Sequence, residues 1–144
     1  MLLALLHYHM SNMEHAWYQG VLDRLLARCL VDEVTGCMLW QGALWSGSRY
    51  GMCWHKPPGQ QRKRWRVHRL VYALHLALEN NSPDLTLPTH NNHQEPIEIS
   101  HLCHSPLCLN INHLTLETHS TNMDRELCRH QGFCTANHQP PCLI

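Results

Sequence analysis

One phenylalanine in 144 residues, and an aromatic share of 7%, leave little material for a large apolar core. A chain so composed commonly adds metals or disulfides as staples. No apolar run approaches the length of a membrane span, which excludes an integral helical membrane protein. Residues 2–6 are apolar, but they are too few for a secretory leader, lack a basic lead and run into His7 and His9. The expected location is therefore intracellular, and the nucleus if the host is eukaryotic. Acidic residues are missing altogether from residues 35–78, where seven basic ones stand: Arg49, Lys56, Arg62, Lys63, Arg64, Arg66 and Arg69. Net charge is zero, so this segregation predicts one basic surface on a neutral protein, the footprint of a polyanion.

Cysteine and histidine are what the chain does have. Residues 100–142 hold five of eight cysteines and six of fourteen histidines. Cys103, Cys108 and His113 repeat at four-residue gaps and give three ligands of the kind zinc takes. The fourth must come from elsewhere; Cys37 is preferred, with Cys53 and Cys29 as alternatives. Cys128, Cys134, His138 and Cys142 form a complete second set within fifteen residues. Both sites would be closed, which predicts structural zinc rather than catalytic zinc. A disulfide framework would not require histidines at ligand spacing, and no oxidising compartment is indicated.

Local patterns predict a single domain over residues 1–144. Residues 1–10 read as a frayed start or a short strand. Ser11 and Glu14 form a capping box that opens an amphipathic scaffold helix over residues 12–30. Short strands over 37–41, 49–54 and 60–68, separated by Gly and Pro turns, predict a basic antiparallel sheet across residues 37–68. That shape fits the major groove of DNA. A second helix is expected over 67–78, then a polar excursion. From residue 97 the pattern is strand, metal loop, strand and helix. This order places His101 on a strand and Asn122 on the first turns of the helix packed across it.

The run His101-Leu-Cys103-His, Cys108, Asn110 and His113-Leu, followed by Asn122, resembles the His-Cys box of homing endonucleases, part of the wider ββα-metal (His-Me finger, HNH-like) nucleases. Cys37, Tyr50-Gly51, Arg64-Trp65 and Val67-His-Arg69 fall in the same order upstream. The resemblance implies an α+β class: a small zinc-stabilised ββα-metal fold with an antiparallel DNA-binding sheet and few helices, its motif spanning residues 97–142. It also implies an endonuclease that hydrolyses phosphodiester bonds of double-stranded DNA with Mg2+, site-specific like a homing enzyme. His101 would be the general base, oriented by a backbone carbonyl near Cys108, and Asn122 would bind one Mg2+. Arg64 would hold the scissile phosphate, with Arg62 and Arg66 as fallbacks. Arg49, Lys56, Arg62, Lys63, Arg64 and Arg66 would touch DNA, and the eight Cys and His ligands would bind two structural Zn2+.

The assignment is also sound chemistry. Neutral imidazole, with a reference pKa near ~6.5, can accept a proton from water. Mg2+ prefers oxygen ligands and keeps several waters, and Arg offers a fixed fork to phosphate. Asp124 is the rival metal ligand, but two positions from Asn122 it should face the other side of the helix. Three features depart from the family. Ile111 stands where its loop has Pro, the second zinc motif is spaced differently, and the sequence stops at Ile144, short of the tail that members exchange to form homodimers. The rival reading is a catalytically inactive, zinc-stabilised DNA-binding module.

Overall fold

The computed structural model describes residues 9–134 and 138–144, so the reading of residues 1–10 lies mostly outside the described residues. Helix α1 (Asn12–Leu26) starts at the expected capping box: Ser11 Oγ accepts from the Glu14 amide at 3.1 Å, and Glu14 Oε1 accepts from the Ser11 amide at 3.2 Å. It ends four residues before the predicted limit of residue 30. Cys29–Val31 instead forms strand β1, paired antiparallel with β2 (Met38–Trp40). Cys29 kept the helical period in sequence because it packs against the same core from the strand.

The single basic sheet expected over residues 37–68 is, among the described residues, two separate ribbons. Strand β2 pairs with β1, and β3 (Met52–His55) pairs with β4 (Lys63–Arg66). A lone bridge between Leu44 and Gly51 joins the segments that lead from one ribbon to the other. Trp40, the last residue of β2, lays its ring against the backbone that leads into β3. Its indole is 2% exposed and donates to the Ala43 carbonyl at 2.9 Å. A Cβ on Gly51 would stand 2.5 Å from that ring, so only glycine lets the backbone pass.

Helix α2 (Val67–Asn80) carries the core. Val67, Leu70, Val71 and Leu74 are 0% exposed, on an apolar stripe with helical period that packs against α1. Burying each such side chain stabilises the fold by about 1.5–3 kcal/mol. The helix runs past the predicted end and stops at Asn81, whose φ of 51° is left-handed, a conformation asparagine tolerates. His68 shares the buried stripe and turns toward the second half of the molecule.

That second half is the strand-loop-strand-helix motif. Strand β5 (Ile97–His101) pairs antiparallel with β6 (Leu114–Thr118) in a register that sets His101 opposite Leu114. A short 3-10 turn at Ile111–His113 closes the loop between them, and helix α3 (His119–Gln131) crosses both strands. Thr118 caps α3, accepting from the Thr121 amide at 3.3 Å, and Gly132 ends it at a φ of 79°. The protein is thus a small α+β fold, with three helices and short antiparallel ribbons among the described residues. Among the described residues no helix is long and apolar enough to cross a membrane.

Candidate active site and metal centres

Cys37, Cys103, Cys108 and His113 converge so that their ligand atoms all lie within 4.8 Å of one another. Cys128, Cys134, His138 and Cys142 do the same. In the first group His113 Nδ1 stands 3.6 Å from Cys37 Sγ and 3.5 Å from Cys108 Sγ. In the second, His138 Nδ1 is 3.6 Å from each of Cys128, Cys134 and Cys142 Sγ. A tetrahedron with metal–sulfur bonds of about 2.3 Å and a metal–nitrogen bond of about 2.0 Å requires a sulfur–nitrogen separation of about 3.5 Å. The donor sets fit Zn2+ in number, type and spacing. Four protein ligands at each site leave no open position, the mark of structural zinc.

The protonation chemistry agrees. Sharing a hydrogen bond with Cys108 drives the Cys103 thiol up, and the same contact brings Cys108 down to about 5. Sulfurs packed this closely compete for one proton, a conflict that a bound dication removes.

Each metal cluster is tied to its surroundings by named contacts. Cys37 enters from the turn before β2, where Asn110 Nδ2 donates to the Gly36 carbonyl at 2.8 Å. Backbone bonds Trp40–Leu107 (2.9 Å) and Leu109–Met38 (2.8 Å) stitch β2 to the metal loop. The first cluster therefore joins the β1–β2 ribbon to the ββα motif. At the second, Arg125 is 1% exposed and donates from Nη1 to Cys142 Sγ at 3.4 Å. Its Nε and Nη2 clamp Glu117 at 2.6 and 2.9 Å. This buried arginine had no motif in the sequence to announce it; only its helical position facing β6 explains it.

Between the clusters, His101 and Asn122 line one cleft of about 350 Å³, together with Arg49, Tyr50, Glu126 and Arg129. His101 is 9% exposed and its Nε2 has no partner. Burial pushes the imidazole down to about 4, against a hydrogen bond to the Cys108 backbone that favours the charged ring. The ring is neutral at pH 7. Tyr50 stacks over it at 6.0 Å between centroids, and His68 lies 4.9 Å away. Burial first, and the charges of His101, Arg69 and Arg66 after it, hold His68 well below the ordinary histidine range.

Asn122 is anchored by a residue that sequence reasoning passed over. Its Nδ2 donates to Glu98 Oε1 at 2.5 Å, and His119 Nδ1 lies 3.0 Å from the same oxygen. An acceptor on the nitrogen side leaves Oδ1 as the amide's available atom. Asp124 lines a different groove, with Thr121, Leu127 and His130, as its position two residues on requires.

Arg64 is not among the cleft-lining residues. It stands on the β3–β4 ribbon with its guanidinium 4.9 Å over the Trp45 ring, which Arg66 shares at 4.7 Å. Arg62 lies 4.8 Å over Trp54 and Lys63 4.2 Å over Trp65. The ribbon thus presents four of the expected DNA-contacting cations on aromatic rings, with Lys56 in the groove beyond it. Arg49 instead sits in the His101 cleft.

A family model described as the zinc-binding loop region of homing endonuclease matches residues 37–144. The chain belongs to that family. The matched stretch begins at the first ligand, Cys37, and takes in every other ligand of both clusters. No curated protein matches. Membership in this homing-endonuclease family gives the protein a nuclease-related, DNA-binding role and makes its two Cys3His clusters zinc sites.

Proposed function

We propose that the protein is a Mg2+-dependent endonuclease that hydrolyses double-stranded DNA, site-specific in the manner of homing enzymes. The observation that supports this reading best is one shared cleft holding a neutral His101 with a bare Nε2 beside an Asn122 whose amide is already fixed. The His101 proton sits on the nitrogen bonded to the Cys108 carbonyl, so Nε2 is the basic atom and takes the proton from the attacking water. Asn122 would hold Mg2+ through Oδ1, a hard oxygen donor suited to that ion. Bound there, the ion would supply neutralisation of charge on the phosphate and the leaving oxygen. Arg49 and Arg129 flank the cleft and counter the phosphate's charge, while Arg64 steadies the cut strand from the ribbon. Closed zinc sites take no part in the chemistry; they hold the strands and helix that carry these side chains.

Purified protein should nick and then linearise plasmid with Mg2+, and His101→Ala should abolish cutting while duplex binding persists. Binding without cleavage by the parent protein in any divalent metal would instead establish the inactive DNA-binding module.

A further inference from the structure

A groove between α1 and β3 lies outside the His101 cleft and encloses about 600 Å³. Trp17, Arg24, Trp54, His55, Lys56 and Arg62 line it, and no acidic side chain does. Its cations form no ion pair among the described residues. At its floor His55 is 8% exposed with Nε2 unpartnered, and burial followed by the charges of Arg24 and Lys63 holds that ring neutral. The groove is therefore a place of positive potential that no acidic lining residue and no ion pair among the described residues neutralises. It also offers flat apolar faces, since Trp17 is 39% and Trp54 51% exposed. Arg28 lines it as well, but its guanidinium stacks 4.6 Å over the buried Trp40 and is committed to the fold.

Cations alternating with exposed rings match a phosphodeoxyribose strand, which presents charge at each phosphate and apolar edges at each sugar. We infer that this groove is a further DNA-backbone site, which carries the footprint from the ribbon onto α1 with Arg24 and Lys56 as phosphate contacts. The inference rests on the DNA-binding reading above. Continuity favours DNA over an acidic protein, because Trp54 belongs both to the groove and to β3, and Arg62, one residue before β4, lines the groove and stacks on Trp54. A strand lying on β3–β4 enters the groove without leaving the surface.

The test is the salt dependence of binding to a long random-sequence duplex, read by fluorescence anisotropy on the zinc-loaded full chain. Each lost phosphate contact lowers the slope of log K against log salt by about 0.9 and weakens binding about eightfold at roughly 0.1 M salt. The double variant Arg24→Gln/Lys56→Gln should lose about twice that slope, with zinc content and melting temperature unchanged, and Arg24→Lys/Lys56→Arg should restore it. If the double variant keeps the parent slope while Arg64→Gln lowers it, the groove is not a DNA site and the ribbon reading stands. If the parent does not bind duplex at all, both fall. Polyglutamate bound by the parent but not by the double variant, with the DNA slope intact, would make the groove a site for an acidic protein and overturn the inference.

Discussion

Replacing Arg125 by Met would test how far the second zinc centre depends on one buried charge. The arginine is 1% exposed and its two hydrogen bonds to Glu117 bridge α3 to β6, whose carboxylate side chain is itself only 10% exposed. Its third contact neutralises Cys142, one of three sulfurs that leave a zinc-loaded Cys3His centre with a net negative charge. Methionine fills much the same volume but strands the Glu117 carboxylate, and breaking a buried pair from one side costs about 3–5 kcal/mol. For a domain of this size that lowers the melting temperature by roughly 10–15 °C. Loss of the contact to a ligand should also weaken zinc at the second site about 10–100-fold, while leaving the first untouched. Competition with a chromophoric chelator reads this directly: one zinc released early, one late, against the parent's profile. The double variant Arg125→Met/Glu117→Leu should recover most of the melting temperature, since no lone charge remains, yet keep the weakened second zinc. A single variant that melts and releases zinc like the parent would refute the reasoning, and so would a double variant as unstable as the single.

Glu98→Gln should raise the Mg2+ concentration needed for half-maximal cleavage several-fold with little change in melting, because it loosens the Asn122 amide rather than the fold; an unchanged requirement would remove Glu98 from the site. Asn122→Ala should lose cutting at all Mg2+ concentrations while retaining duplex binding, measured by gel shift. Stability should fall in acid: His55 and His68 titrate below their ordinary value when folded, so beneath about pH 6.5 the unfolded chain takes up protons that the folded chain refuses. The urea midpoint should be level above about pH 7 and drop toward pH 5.5, and His68→Leu should flatten that drop; equal slopes would count against it. Stripping both zincs with a strong chelator should unfold the protein, seen as loss of helical circular dichroism.

What could be read from the chain was what has a short-range signature. The capping box at Ser11 and Glu14 and the ligands spaced four to six apart are local, and each stands where its pattern placed it. Cys37 was reachable only by counting, because a tetrahedron lacking one ligand needed a partner from far away. Features that depend on two distant strands were not legible. β1 hid inside the helical period, and the three strand segments gave no hint that the first would pair backward with Cys29–Val31. Glu98 and Arg125 carried no pattern at all, being single charged residues whose partners lie 24 and 8 positions away. Arg64 kept its place on the ribbon, but Trp45, 19 positions before it, holds the guanidinium on that face.

The two metal centres also differ in when they can form. The second is closed by fifteen residues, from Cys128 to Cys142. The first encircles 67 residues from Cys37 to Cys103, counting both ends (103 − 37 + 1), and that ring contains β3, β4 and all of α2. Closing the small ring in a disordered chain costs about 3 kcal/mol of entropy and the large one about 4 kcal/mol, before its inner segments have ordered. The short centre can therefore capture its ion with little of the remaining chain ordered. The long one needs residues 107–109 against β2 before its four ligands meet, so its metal depends on tertiary structure that the short one does not need.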